Sequence, residues 1–198
     1  MGITEHLVAY ITKSIAAGGY PVIGFLMMLE SMVFPVPSEA VMPFAGFLVT
    51  DGTFSFWTVV LVSTMGSLIG SLLSYAIGRY GGRIFLEKWG KYFLLNQHHL
   101  DATETFFKGH GGSTIFVARF IPVVRHLISI PAGIAKMNLA TFSLYTLLGA
   151  GLWNMFLLYI GMMLGQNWST LGPYMHYLDI LVVGALVLGA GWLVLKRR

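Results

Sequence analysis

Long apolar runs separated by short polar segments dominate the chain. Three of these runs cover residues 54–78, 139–165 and 174–195. A helix needs roughly 20 predominantly apolar residues to cross the hydrocarbon core of a bilayer. The pattern therefore predicts a transmembrane helix in each of the three runs.

Two other apolar stretches are interrupted by proline. The first, residues 20–50, contains a Pro-Val-Pro run at 35–37, and the second, residues 113–135, contains Pro122 and Pro131. Proline stops a helix from continuing, because it lacks a backbone donor. Non-helical backbone at membrane depth survives only where protein or a wet cavity shields it. Since the arms on either side of each break are too short for two full crossings, both stretches are predicted to be re-entrant helical hairpins.

Two segments are more polar. Residues 1–17 mix Glu5, His6 and Lys13 with apolar residues, which is typical of an amphipathic helix at the membrane surface rather than a cleaved signal peptide. Residues 79–112 form a polar loop whose aromatic residues indicate helices lying on the inner membrane surface. The helical pieces predicted in this loop are 83–95 and 98–108.

Basic residues determine the predicted orientation, because cytoplasmic loops carry an excess of lysine and arginine. The Lys-Arg-Arg run at 196–198 and the basic loop 79–112 are therefore both assigned to the cytoplasm. The first hairpin then enters from the outer face and the second from the cytoplasm. Inverted repeats with broken helices are the layout of many transporters. The predicted fold is an all-α polytopic membrane protein, an inverted repeat of a re-entrant hairpin plus a transmembrane helix, with an extra C-terminal transmembrane helix.

Composition agrees with a single membrane domain over residues 1–198. The chain is 56% hydrophobic and only 10% charged, whereas a soluble domain usually carries about 25% charged residues. The net charge of +4 lies in loops that flank the apolar runs rather than in one solvated patch, so nucleic acid is not an expected partner. The absence of cysteine excludes disulfides, thiolate metal sites and cysteine nucleophiles.

The strongest chemical signal is a pair of arginines, Arg119 and Arg125, on either side of Pro122. Insertion scales put an arginine at the centre of a membrane helix at roughly 2.5–3.5 kcal/mol. Two of them must therefore face a wet cavity, a carboxylate or an anionic ligand, and the guanidinium fork fits phosphate oxygens. The alternative is that both arginines extend to the cytoplasmic interface or form purely structural ion pairs.

Acidic residues flank the break of the first stretch. Ser38 can cap its second arm, which puts Glu39 in a first helical turn, and Glu30 precedes the break. Glu39, and more weakly Glu30, are candidate proton or gating sites, with a structural salt bridge as the alternative. Asp51 followed by Gly52 is typical of a turn at the outer surface.

Small residues recur every four positions in the first long run. They are Gly66, Gly70, Ser74 and Gly78, beside Ser63, Ser67 and Ser71. Small residues at this spacing let membrane helices approach closely, so packing is the preferred interpretation. A serine stripe that faces the substrate is the alternative.

Motifs for enzymes and metals are not found in the sequence. There is no glycine-rich phosphate loop, Gly-x-Ser-x-Gly elbow or His-Glu-x-x-His. His98 and His99, near Asp101 and Glu104, point to different sides of a helix in a polar segment, which does not favour a metal site. No cofactor, metal or enzymatic activity is therefore expected.

Several of these residues together resemble the DedA family, the bacterial branch of the VTT or SNARE-associated membrane proteins. The resemblance covers about residues 20–165. It rests on a Pro-x-Pro-Ser turn before Glu39, on Gly-Arg-Tyr-Gly-Gly at 78–82, on Arg-Phe-Ile-Pro-Val-Val-Arg at 119–125, and on Pro-Ala-Gly at 131–133. It implies two hairpins that face each other in an inner-membrane protein that transports lipids. The functional acids of the family fall on Glu39 and Asp51, and its arginine pair on Arg119 and Arg125.

The resemblance leads us to expect a multi-pass protein of a bacterial plasma membrane with a cytoplasmic C-terminus. Its expected activity is translocation of undecaprenyl phosphate, with Arg119 and Arg125 binding the phosphate and Glu39, Asp51 and Glu30 serving as proton or gating residues. A general phospholipid flippase or scramblase, a proton-coupled ion transporter, a membrane lipid phosphatase and a structural role are the alternatives. A homo-oligomer is left open.

Overall fold

A computed structural model of the chain describes residues 3–32, 36–81, 107 and 110–164. All regular structure within these ranges is helical. The predicted helices at 83–95 and 174–195 lie outside the described residues, as do most of the predicted helix at 98–108 and the basic run at 196–198.

The first half of the described structure contains three helices. Helix α1 covers Ile3–Glu30, α2 covers Ser38–Thr50, and α3 covers Phe56–Ala76 and continues as a π-helix over Ile77–Gly81. The chain kinks inside α1 at Gly19, whose φ of 64° and ψ of −146° are not helical; glycine adopts this conformation because it has no Cβ. The predicted surface helix 1–17 and the first proline-interrupted stretch meet at this kink.

The second half contains four helical pieces. Helix α4 covers residues 110–118, and α5 (Pro122–Leu127), α6 (Ser129–Ile134) and α7 (Leu139–Leu164) follow. Ile121 is extended, with φ −102° and ψ 113°, and Pro122 is the first residue of α5. The predicted break at Pro122 is confirmed, since a proline cannot continue α4 but suits a first helical position. The extended Pro37 before α2 is the equivalent feature of the first stretch.

Among the described residues, three helices are long and apolar enough to cross a membrane: Tyr10–Glu30, Phe56–Gly81 and Leu139–Leu164. The last two coincide with predicted transmembrane helices. Tyr10–Glu30 was not predicted to span, because the sequence pattern placed a boundary near Gly19, whereas α1 resumes directly after its kink.

Glycines determine how the two halves interlock. A Cβ at Gly161 of α7 would collide with the carbonyl oxygen of Pro43 in α2, and a Cβ at Gly133 of α6 would collide with the carbonyl oxygen of Tyr75 in α3. Each half therefore packs a short helix against the long helix of the other half. Within the first half, Gly66 of α3 lies directly against Gly24 of α1.

Two apolar clusters fill the interior. One lies between α1, α2, α3 and α7, and it includes Ile15, Ile23, Met27, Met42, Val59 and Leu158. The other lies between α3, α4, α6 and α7 and includes Tyr75, Ile115, Ala132 and Phe142. Buried charged and polar residues also occur in the described part of the chain, among them Glu30, Ser71, Arg119, Arg125 and Thr146.

The contact of Gly161 with α2 gives a first testable prediction. Gly161→Ala must push α2 and α7 apart, because the new methyl group meets backbone rather than a flexible side chain; overpacking of this kind costs about 1–3 kcal/mol. Gly151→Ala, on the same helix, is the matched control, since its Cβ would lie 3.5 Å from Thr64 Cγ2, an ordinary contact. Thermal unfolding in detergent should show a lower midpoint for Gly161→Ala only. Equal midpoints for the two variants would contradict this packing.

Candidate functional site

The helix breaks of the two proline-interrupted stretches bring three charged residues together. Glu30 ends α1, Glu39 lies in the first turn of α2, and Arg125 lies in α5. Arg125 Nη2 is 2.9 Å from Glu30 Oε1 and 2.8 Å from Glu39 Oε1. It also donates to Ser38 Oγ at 2.6 Å. One guanidinium nitrogen therefore links the second stretch to both arms of the first.

The two carboxylates that face Arg125 differ in their access to solvent or lipid. The Glu30 side chain is 6% exposed, while the Glu39 side chain is 35% exposed. Glu30 is further held by Ser31 Oγ, which donates to its Oε2 at 3.2 Å. Glu39 is therefore the partner of Arg125 that protein encloses less, so it can separate from Arg125 with a smaller loss of protein contacts.

Two more side chains complete the surroundings of Arg125. His126 Nδ1 lies 3.0 Å from the backbone oxygen of Glu30 and 3.7 Å from Glu30 Oε1. The carbonyl can only accept, so Nδ1 carries the proton in this contact. The ring of Trp153 lies 5.2 Å from Arg125 Cζ, within the range of a cation–π interaction.

Arg119 has a different environment, although it lies six residues from Arg125. Its Nη2 faces three hydroxyl oxygens, at 2.9 Å from Ser71, 3.3 Å from Ser129 and 3.3 Å from Thr146. Its Nη1 donates to the backbone oxygen of Arg125 at 3.2 Å. Among the described residues, no carboxylate lies within ion-pair distance of Arg119.

Both arginines are only 4% exposed. This burial argues against the alternative in which both guanidinium groups extend to an aqueous interface. It is costly, because taking a charge out of water carries an effective penalty of several kcal/mol unless a counter-charge or hydrogen bonds offset it. Arg125 has its counter-charges. Arg119 has only neutral oxygens in the described part of the chain, so it is the cation that a bound anion would stabilise most.

Asp51 lies apart from these residues. It follows α2 directly, is exposed, and accepts a hydrogen bond from Thr53 Oγ1 at 3.3 Å. Glu39 lies at the other end of this 13-residue helix, a separation of about 18 Å at 1.5 Å per residue. Of the residues that sequence predicted, the structure therefore groups Glu30, Glu39, Arg119 and Arg125, and it leaves Asp51 at a turn.

Several residues of the site were not predicted. Ser129, Thr146, His126 and Trp153 carry no local pattern that separates them from other residues of apolar helices. One signal was available: a buried arginine requires acceptors, and serines were present on the first long run. The prediction that this run packs closely is confirmed, since a Cβ at Gly66, Gly70 or Gly78 would collide with neighbouring backbone. Ser71, on the same run, has a role other than packing, because its hydroxyl oxygen accepts a hydrogen bond from Arg119.

Metal ligands do not gather in this region. Within the described ranges, no group of three or more histidine, aspartate or glutamate residues is arranged to hold a metal ion. The histidine pair at 98–99 lies outside those ranges.

Comparison with known proteins places these residues in a family context. The VTT domain model matches residues 36–163, a range that contains Glu39, Asp51, Arg119 and Arg125. The chain is 40% identical over 184 residues to undecaprenyl phosphate transporter A of Bacillus subtilis (strain 168), covering 91% of this chain and 89% of that protein. It is 37% identical over 188 residues to an alkaline phosphatase-like protein of Lactococcus lactis subsp. lactis, covering 91% and 88%.

A more distant relative carries the family name. The chain is 29% identical over 191 residues to the protein DedA of Escherichia coli (strain K12), covering 92% of this chain and 84% of that protein. No solved structure matches the chain at a significant level. The resemblance read from the sequence motifs is confirmed: the chain belongs to the DedA family of VTT-domain membrane proteins.

Proposed function

We propose that this protein carries undecaprenyl phosphate across the bacterial plasma membrane, with Arg119 and Arg125 binding the phosphate head group. The observation that carries the proposal is Arg119, a permanent cation that is 4% exposed and has only neutral acceptors among the described residues. A phosphate supplies the counter-charge that this guanidinium lacks. The name of the Bacillus subtilis relative, undecaprenyl phosphate transporter A, supports the same substrate class.

The polar route needs to pass only the head group. The polyprenyl tail is as apolar as the bilayer interior and can remain there, whereas a phosphate in hydrocarbon requires donors and positive charge. As part of the proposal, the two proline-interrupted stretches are re-entrant hairpins of opposite orientation, with the C-terminus in the cytoplasm. The reciprocal packing of α2 on α7 and of α6 on α3 supports this arrangement.

The sharing of Arg125 by two carboxylates supports a proposed coupling to protons. An incoming phosphate competes with Glu39 for Arg125 Nη2, which lies 2.8 Å from Glu39 Oε1. Protonation of Glu39 removes the competing charge and frees the guanidinium for the phosphate. Glu30 remains in place as the buried counter-ion. Asp51, at the exposed end of α2, is proposed as a second proton site at the membrane surface.

Reconstitution tests the proposal directly. Proteoliposomes that contain the purified protein should translocate a labelled polyprenyl phosphate, and unlabelled undecaprenyl phosphate should compete. A labelled phosphatidylglycerol in the same vesicles measures general phospholipid movement. Equal rates for both lipids, without competition, would indicate a scramblase and contradict the proposed substrate.

Glu39→Gln tests the proton step in the same vesicles. The variant imitates the protonated carboxyl group, so translocation should depend less on pH than in the wild type. Glu39→Asp, which keeps an acid, is the matched control and should retain the wild-type profile. An unchanged pH profile in Glu39→Gln would remove Glu39 from the proton step.

A lipid phosphatase is the second candidate, because two relatives are named alkaline phosphatase-like. The same arginines would then bind the phosphate that is released. We propose a carrier without catalysis, since the sequence offers no recognisable nucleophile motif beside them. Release of inorganic phosphate from undecaprenyl pyrophosphate by the purified protein, lost in an Arg119 variant, would favour the phosphatase.

A further inference from the structure

We infer that Arg119, Ser129 and Thr146 form a subsite that selects a phosphate monoester over a phosphodiester. The inference rests on the proposed function, because it specifies which part of the binding site reads the head group. It assigns a binding role to two hydroxyl groups that no sequence motif identifies.

The first step is the hydrogen bonding of Arg119. Its Nε is buried and has no hydrogen-bond partner among the described residues. Its Nη2 has two hydrogens for three hydroxyl oxygens, and two of the three distances are 3.3 Å, beyond the usual 2.7–3.2 Å of an N–H···O bond. Nε and Nη2 point to the same side of a guanidinium group, the side that binds an oxyanion through two parallel bonds. On that side of Arg119, the Nε–H is unpaired among the described residues, and the Nη2 contacts with Ser129 and Thr146 are long.

The second step is the hydroxyl groups. Ser71 Oγ accepts a hydrogen bond from Arg119, and its own hydroxyl donates to the backbone oxygen of Ser67 at 2.6 Å. Ser129 and Thr146 also accept from Arg119, but within the described part of the chain their hydrogens have no acceptor. Buried polar hydrogens rarely lack acceptors, and each exception calls for a missing partner.

The third step is the position of these donors. Ser129 and Thr146 are fully buried, on α6 and α7 respectively. Gly149, one turn after Thr146, lets the Arg119 side chain lie against α7, since a Cβ there would be 2.8 Å from Arg119 Cγ. Parts of the chain that are distant in sequence thus place three unfilled donors, the Arg119 Nε–H and two hydroxyls, around one positive charge.

The missing partner must be rich in acceptors and negatively charged. A phosphate monoester has three free oxygens and a charge of about −1.5 to −2 at neutral pH. A phosphodiester, the head group linkage of common phospholipids, has two free oxygens and a single negative charge. The third oxygen and the additional charge of the monoester match donors that a diester leaves unfilled, so the subsite favours lipids that end in an unsubstituted phosphate.

Binding of short probes to the purified protein in detergent tests this inference without any transport step. Dodecyl phosphate serves as the monoester and dihexanoylphosphatidylglycerol as the diester. The wild type should bind the monoester roughly tenfold more tightly than the diester. The double variant Ser129→Ala with Thr146→Val should lose most of this ratio through weaker monoester binding. A ratio that is unchanged in the double variant, or a wild type that does not prefer the monoester, would overturn the inference.

Two further variants separate binding from folding. Ser63→Ala removes a buried serine whose hydroxyl donates to the backbone oxygen of Val60 and does not contact Arg119, and it should keep the wild-type ratio. Thr146→Val alone preserves side-chain shape and should lower the ratio about threefold even where the double variant does not fold; a wild-type ratio in this variant counts against the inference.

The transport assay distinguishes the two proposals. If the wild type translocates polyprenyl phosphate but the double variant keeps the preference for the monoester, the subsite inference is wrong and the proposed function is still supported. If the wild type prefers the monoester in detergent but translocates no polyprenyl phosphate in vesicles, the proposed function is wrong and the subsite inference is still supported.

Discussion

We expect Arg119→Ala to reduce translocation of the phosphate head group by about a hundredfold while leaving the protein folded. The loss follows from the removal of charge-assisted hydrogen bonds to the phosphate, each of which contributes about 1.5–3 kcal/mol; every 1.4 kcal/mol is a factor of ten. The fold should survive because, in the described part of the chain, the polar partners of the Arg119 guanidinium are hydroxyl groups and a backbone oxygen. Its removal leaves no buried carboxylate without a partner.

The measurement is the initial rate of polyprenyl phosphate translocation in proteoliposomes, with thermal unfolding of the same preparation. Arg79→Ala is the matched control, because Arg79 is exposed in the π-helix that continues α3 and its Nη1 donates to Tyr75 Oη at 2.8 Å. The control should transport normally. Wild-type rates in Arg119→Ala, in a folded protein, would leave the proposed function without its substrate site.

Arg125→Met is expected to have the larger effect on stability. It leaves Glu30, 6% exposed, as a buried carboxylate without its cation, and breaking a buried ion pair in this way costs about 3–5 kcal/mol. Glu39, at 35% exposed, should add less to this cost because protein encloses it less. Arg119→Met, which strands no carboxylate, is the matched control and should unfold at a higher temperature than Arg125→Met.

A double-mutant cycle identifies the cause. Combining Arg125→Met with Glu30→Gln removes both charges, and exchange of a buried pair for neutral groups is often close to neutral for stability. The double variant should therefore recover much of the midpoint that Arg125→Met loses. Additive losses in the double variant would show that the instability comes from packing and not from a stranded charge.

Sequence determined the local features of this protein, because hydropathy and proline act over short distances. The apolar runs at 54–78 and 139–165 predicted two of the spans of the structure, and Pro122 predicted the break before α5. Two arginines in an apolar segment predicted that both side chains need a wet cavity, a carboxylate or an anionic ligand, because their cost of burial does not depend on the fold. The boundary near Gly19 was visible, but that α1 resumes beyond it was not, since a kinked glycine and a helix end look alike in sequence.

Only the tertiary structure decided which partner each charged residue has. Arg125 meets a carboxylate 86 positions away along the chain, while Arg119 reaches a serine 48 positions away and no described carboxylate. Asp51, close in sequence to Glu39, lies at the other end of α2. Pairing depends on distance through space, which helix packing at residues such as Gly133 and Gly161 establishes. The residue types determined which charges had to be accommodated, and the packing determined which of them have a described counter-charge and which do not.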